Sequence, residues 1–306
     1  MSTVLERNLI VVTGKGGVGK STIAASLALA AAGRGRRTIV VELAGQRQVP
    51  ELLGDRSHDE GDPEIELGEN LWSTTIDPDR VLADWLARLM GKFSSRLVTS
   101  RSSFQYFAAA APGARELLSM IKICELTQDE RWAKRREGYD LVILDAPATG
   151  HALALLASPS TFMAIARVGP LAVQAQQVRE LLGDPLRSAY LAVAHGSELA
   201  VSETLELAEG LRHQLGRELE AVIFNGLLPR RFQKRELERI ADLPSDLGTA
   251  ALAAARSVHQ RALTQHNQRE RLRRRQLRVL SVPFLFTPQL SKEDLAGISG
   301  RLAREL

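Results

Sequence analysis

The chain has 306 residues and a formal net charge of +4, with 44% hydrophobic and 25% charged residues, which excludes a disordered polyelectrolyte and suits one large α/β core or two smaller ones. A single cysteine, Cys124, rules out an internal disulfide framework and a cysteine-cluster metal site; the six histidines fall at no metal-ligand spacing, and no apolar run reaches the roughly 18 residues of a membrane span. Glu6 and an immediate entry into an apolar run replace the pattern of a signal peptide, so the expected compartment is the cytoplasm.

Asn8-Leu-Ile-Val-Val-Thr is short, apolar and rich in β-branched residues, which predicts a buried strand over 8–13. "GKGGVGKST" follows from Gly14 to Thr22, and the alanine- and leucine-rich stretch from Ser21 to Ala32 reads as a helix that stops at Gly33. Strand, glycine loop and helix in that order are the setting that the phosphate-binding pattern G-x-x-x-x-G-K-[ST] requires, here Gly14, Gly19, Lys20 and Ser21. Gly14, Gly16, Gly17, Val18 and Gly19 let the backbone curl around phosphate with its N–H groups inward, at the positive end of the helix. Lys20 is placed for the β- and γ-phosphates, Ser21 for a Mg²⁺ ion, and Thr22 closes the nucleotide-binding set. Lys15 is a second lysine ahead of the usual one, and the phosphate-binding pattern alone does not account for it.

Further strands are predicted over 37–43 and 71–76, after which residues 77–138 turn helical for far longer than a βαβ crossover needs. That insertion contains the apolar stretch "FQYFAAAAP", Phe104 to Pro112. The next strand, over 139–145, runs through Leu141–Leu144 and delivers Asp145 at its C-terminal edge, where the Mg²⁺-coordinating carboxylate of a P-loop protein belongs. "APATG" follows at once, and Gly150 permits close approach of the backbone to a γ-phosphate. A second helical excursion begins near Ser158. Insertions at about 78–137 and 158–187 are expected to form a helical subdomain over the nucleotide edge of the sheet, its apolar residues packing within it.

Strands over 189–194, 219–225 and 277–282 complete the series. Before the last of them, a long helical stretch from Gly248 ends in "RERLRRRQLR", Arg269 to Arg278, which reads as a solvated helix face with Glu270 available to i,i+4 partners. It lacks stacking aromatics, so no nucleic-acid partner is expected. Lys292 to Leu306 is amphipathic with offset charges and reads as a docked final helix. The fold class expected is α/β: one P-loop NTPase domain over 1–306, with a mostly parallel central sheet flanked by helices and an inserted helical subdomain.

"GKGGVGKST" together with "DAPATGHALALL" resembles the ATPases of arsenite efflux pumps and the related ATPases that target tail-anchored membrane proteins, within the wider deviant P-loop group that includes cell-division-site and partition ATPases and the nitrogenase iron protein. The resemblance extends to "APGARELL" from Ala111, to "VIFNGLLPRR" with Asn225, and to the final strand "LRVLSVPFLF". It implies ATP and Mg²⁺ as cofactors. It implies that Lys15 is the signature lysine, reaching the nucleotide of a second subunit in a sandwich dimer formed with itself or a homologous P-loop subunit. It also implies that Asn225 contacts adenine.

One departure bears on catalysis. In the resembling family the second strand ends in a D-P-A-H-type segment whose Asp positions the attacking water, whereas "RRTIVVELAGQRQVPELLG" places Ala44 at that position. Glu42, two residues earlier, shares its strand face and either reaches the water from one step back or does not. Slow turnover is expected, or a partner subunit that supplies the acid. The absence of a C-x-x-C pair excludes the zinc clip of the tail-anchor-targeting dimers, and the absence of a cysteine trio argues against arsenite binding by thiolates. Four methionines, Met1, Met90, Met120 and Met163, do not make an adaptable client groove. Three readings follow: a dimeric Mg²⁺-ATPase switching an unidentified client, with a membrane protein among the options; a catalytically weak regulatory subunit; and a positioning ATPase peripherally attached to membrane or bound to DNA.

Overall fold

The computed structural model describes residues 3–43, 47–54, 64–90, 113–132, 137–165, 168–241 and 246–306. Eight strands form one sheet: β1 Leu9–Thr13, β2 Thr38–Leu43, β3 Glu64–Gly68, β4 Leu71–Ile76, β5 Leu141–Asp145, β6 Ser188–Ala194, β7 Ala221–Leu227 and β8 Val279–Pro283. Their order is β3-β4-β2-β5-β1-β6-β7-β8, and every pairing is parallel except β3 with β4. All seven predicted strands are present within a residue or two of their expected bounds. β3 is an addition: an acidic edge strand of alternating exposure, joined to β4 through Asn70 in the left-handed conformation at φ 58°.

Alternation along the strands sends side chains to two cores. Leu9 and Val11 of β1 enter one cluster, Ile10 and Val12 the other. The second cluster is closed by α1 (Lys20–Ala32), α2 (Gln48–Leu52) and α10 (Lys292–Glu305). α1 lies between the sheet and α10, so nearly all of its circumference is buried and small alanines suit it. Leu295, Ile298 and Leu302 of α10 are buried there, and a Ser291/Asp294 capping box starts that helix.

On the opposite face lie α3 (Pro78–Met90), α4 (Ala114–Leu126), α5 (Thr149–Ile165), α6 (Pro170–Gly183) and α7 (Glu198–Leu215). The described helices of the two insertions therefore share one hydrophobic cluster with the sheet, through residues such as Leu117, Ile121, Leu155 and Leu181. Phe104 to Pro112 lies outside the described residues. α8 (Lys234–Ala241) and α9 (Asp246–Arg274) occupy the β7-to-β8 connection. Glu270 of α9 pairs with Arg269 at 3.0 Å and with Arg273 at 3.2 Å, an i,i+3 contact in place of the i,i+4 geometry expected. Among the described residues no helix is long and apolar enough to cross a membrane.

A buried ionic cluster ties the β3 edge to α4. The Arg131 guanidinium donates to Glu125 at 2.8 Å and to Glu64 of β3 at 2.7 Å; Lys122 Nζ reaches Glu125 at 2.7 Å, and the Tyr139 hydroxyl donates to Glu64 at 2.8 Å.

β1 and β5 are neighbours, yet the helices that follow them, α1 and α5, pack on opposite faces of the sheet. Their loops diverge and open a crevice at the carboxyl ends of the strands, the place where doubly wound sheets hold ligands.

Candidate nucleotide site

The glycine loop fills that crevice, and two of its glycines sit hard against neighbouring strands. Gly14, at φ 146°, lies so close to the Val193 carbonyl of β6 that a Cβ would overlap it. Gly19, at φ 92°, is equally close to the Asn225 amide of β7. That amide donates to the Val18 carbonyl at 2.9 Å, so Asn225 holds the loop as well as facing the cavity beside it. The cavity has a volume of about 660 Å³, within the range of small-molecule sites, and its walls come from the loop (Gly17, Val18, Thr22), from Asn225 of β7 and Leu228 just after it, from Gln260, Arg261 and Thr264 of α9, and from Phe284 and Pro288 after β8. α9 was legible as a helix, but its share of this wall was not.

Lys20 opens α1 and curls back over the loop, Nζ donating to the Lys15 carbonyl at 3.3 Å. Burial pulls its pKa below the usual lysine value, against the opposing charge of Asp145. Asp145 ends β5 at 1% exposure and accepts a 2.5 Å hydrogen bond from the Ser21 hydroxyl. Burial pushes its pKa up, with Ser21 and Lys20 pulling the other way. Its Oδ1, and the hydroxyl of Thr149 at the start of α5, are buried without a hydrogen-bond partner among the described residues. Buried oxygens left without partners beside a hydroxyl and a carboxylate are a donor set suited to a hydrated Mg²⁺ ion. Gly150 follows in α5, and beyond its own turn of helix nothing lies within 4 Å of where a Cβ would sit. The Thr13 hydroxyl donates to the Pro147 carbonyl at 3.0 Å, joining the end of β1 to the turn after Asp145.

Two residues near the loop lay beyond any sequence signal. Gln48, the first residue of α2, places Oε1 2.8 Å from Ser21 Oγ. Glu203 on α7 receives Lys15, Nζ to Oε1 at 2.6 Å, so the lysine is held within its own chain, 188 positions along the sequence. Glu42 is 1% exposed on β2, and its carboxylate accepts the backbone N–H groups of Gln48 at 2.7 Å and Val49 at 3.3 Å. Burial raises its pKa, those two hydrogen bonds oppose the rise, and the nearby Asp145 adds to it. Ala44 lies outside the described residues.

Residues 7–169 match the family model described as "Anion-transporting ATPase". The chain is 30% identical over 238 residues to "ATPase BagA" of Mycobacterium tuberculosis, covering 76% of this chain and 69% of the relative. It is 29% identical over 237 residues to a "Putative arsenical pump-driving ATPase" of Halobacterium salinarum, covering 74% of this chain and 36% of that protein. An "ATPase ASNA1 homolog 1" of Paramecium tetraurelia is 30% identical over 155 residues, 49% of this chain and 43% of the relative. A glycine loop on a sheet switch point, with Lys20, Ser21 and Asp145 converging on it, agrees with a match that spans most of those residues: the chain belongs to the anion-transporting ATPase family.

Proposed function

We propose that the chain is a Mg²⁺-dependent ATPase acting as a nucleotide-driven switch: it closes around ATP with a second subunit, itself or a homologous P-loop protein, and works on an unidentified client in the cytoplasm. The convergence of the glycine loop, Lys20, Ser21 and Asp145 beside a cavity of about 660 Å³ carries the reading. Relatives whose names speak of an arsenical pump and of ASNA1 support it. The lone Cys124 is buried and lends nothing to a thiolate arsenite site, and a membrane protein is among the possible clients. The described helices within 78–137 and 158–187 would belong to the helical subdomain over the nucleotide edge.

In this reading the base and ribose enter the cavity beside Asn225, and the phosphates lie along the backbone N–H groups of residues 14–22 at the N-terminus of α1. Phosphate charge restores the Lys20 pKa that burial depresses, and the ammonium in turn stabilises charge on the leaving oxygens. Ser21 and Asp145 would hold Mg²⁺, which neutralises phosphate charge and orients the γ-phosphoryl group for in-line attack. The turn before Gly150 lies where the γ-phosphate ends, so its position, linked to β1 through Thr13, reports whether that phosphate is present. Lys15 leaves Glu203 to reach the second subunit's nucleotide. Hydrolysis is slow because the water-positioning acid is replaced by Ala44.

The engaged carboxylate of Glu42 favours a second reading, a regulatory subunit with little turnover of its own. The positioning alternative has less support, since the apolar residues of α10 are spent on α1. Steady-state Mg²⁺-ATP turnover against protein concentration, with Lys15→Ala alongside, separates the two main readings. Specific activity that rises with concentration and is lost in Lys15→Ala, with ATP binding retained, supports the self-paired ATPase. ATP binding with background turnover at every concentration supports the regulatory subunit, and no ATP binding refutes both.

A further inference from the structure

We propose that Gln48 is a metal-site residue of this ATPase, its side-chain oxygen joining Ser21 and Asp145, and that Glu42 is a positioning residue that holds Gln48 there by capping α2. The proposal rests on the Mg²⁺-ATPase reading above. It begins from a shortage of hydrogens. Ser21 Oγ lies 2.5 Å from Asp145 Oδ2 and 2.8 Å from Gln48 Oε1. A hydroxyl carries one hydrogen, so with Gln48 Oε1 facing it the Ser21 hydroxyl satisfies one of the two oxygens, and the other contact needs a rotated amide or a cation. Asp145 Oδ1 is buried with no partner at all. A divalent cation relieves each deficit, because every one of these oxygens is a donor to a hard ion. A hydroxyl, a carboxylate and an amide oxygen, supplemented by water and phosphate, form a set that Mg²⁺ accepts.

Gln48 reaches that position because of Glu42. β2 runs between β4 and β5, which fixes the Glu42 side chain at the sheet's carboxyl end. Glu42 Oε1 accepts from the Gln48 N–H at 2.7 Å and the Val49 N–H at 3.3 Å, and Oε2 accepts from Val49 at 3.3 Å. Both oxygens are thus turned to the first turn of α2, where they satisfy N–H groups that no helical carbonyl can reach. The same residue, Gln48, presents its backbone to Glu42 and its side chain to Ser21. The metal position, α2 and β2 are linked through it.

The test uses the full chain and four variants, with three readouts: Mn²⁺ affinity by electron paramagnetic resonance in the presence of AMP-PNP, AMP-PNP affinity by calorimetry in EDTA, and Mg²⁺-ATP turnover. Gln48→Ala is expected to weaken Mn²⁺ binding about tenfold, as loss of a supporting ligand does, and to leave metal-free nucleotide affinity unchanged. Gln48→Glu, which keeps an oxygen and adds charge, is expected to equal or exceed the parent in Mn²⁺ affinity. Glu42→Gln retains an acceptor for the α2 N–H groups and is expected to keep Mn²⁺ affinity, whereas Glu42→Ala is expected to copy Gln48→Ala. Mn²⁺ affinity of Gln48→Ala equal to the parent's would overturn the metal role, as would a Gln48→Glu variant weaker than the parent. Glu42→Gln with intact Mn²⁺ affinity and abolished turnover would overturn the positioning role and make that carboxylate a reacting group. Failure of the parent to bind AMP-PNP under any condition would refute the ATPase reading itself, a result distinct from the others.

Discussion

Arg131→Met is expected to be among the most destabilising single changes in the chain, though Arg131 touches neither the glycine loop nor the cavity. The guanidinium is 1% exposed between Glu125, at 1%, and Glu64, at 7%. Without Arg131 the buried Glu125 keeps its ion pair with Lys122, whose side chain is 22% exposed, and Glu64 loses its 2.7 Å contact with the guanidinium. Removing one partner of a buried ion pair costs about 3–5 kcal/mol, because the charge left behind stays desolvated. Urea unfolding followed by tryptophan fluorescence suits the measurement, since Trp132 donates its backbone N–H to Glu125 at 2.8 Å and the Trp72 ring centroid lies 5.5 Å from that of Tyr139. The pH dependence has a definite sign. Burial would raise the Glu125 pKa, but the hydrogen bond from Arg131 and the charge of Lys122 outweigh it and hold the carboxyl below the usual range. A carboxyl depressed in the folded state contributes stability above its unfolded pKa of about 4.3, and that stability is lost as pH falls through the lower folded value. The parent should therefore lose this contribution on acidification, and Arg131→Met should have little of it to lose. Adding Glu64→Gln and Glu125→Gln to Arg131→Met should recover much of the loss, since the charges then leave together. A loss under about 1 kcal/mol for Arg131→Met would refute the argument from uncompensated buried charge.

Asp145→Asn should stabilise the metal-free protein at neutral pH and abolish any Mg²⁺ dependence of nucleotide binding. The raised folded pKa means that ionisation above the unfolded value opposes folding, an opposition the amide lacks; thermal unfolding in EDTA and calorimetry with and without Mg²⁺ check both halves. Asn225→Ala removes the hydrogen bond to Val18 and should weaken ATP binding by about 1 kcal/mol, roughly fivefold, read by calorimetry with and without Mg²⁺. Glu203→Gln frees Lys15 from a partly exposed ion pair worth under about 1 kcal/mol, so stability should barely change while the protein concentration at half-maximal specific activity falls; a rise instead would mean that Glu203 aids subunit pairing.

Seven strands and the helix after the glycine loop were legible because each announces itself locally, in β-branched runs of five to seven residues and in an alanine-rich stretch ended by glycine. β3 was not, because "EIELG" carries two acids on a short edge strand, and Arg131 and Tyr139, far along the chain, help to hold Glu64 where it lies. In the site, Lys20, Ser21 and Asp145 follow from pattern, since a glycine loop after one buried strand and a carboxylate after another both point to the sheet's carboxyl edge. What those groups touch does not follow. Asn225 reaches Val18 across 207 positions, Lys15 reaches Glu203 across 188, and the hydroxyl of Ser21 meets Gln48 across 27. Glu42 could be recognised as a carboxylate on the correct strand, but its commitment to α2 depends on where that short helix packs against α1. Backbone periodicity and steric demands are properties of neighbouring residues and are written in the sequence; the partner of a charge or a hydroxyl is chosen by packing among distant segments, and only the folded chain decides it.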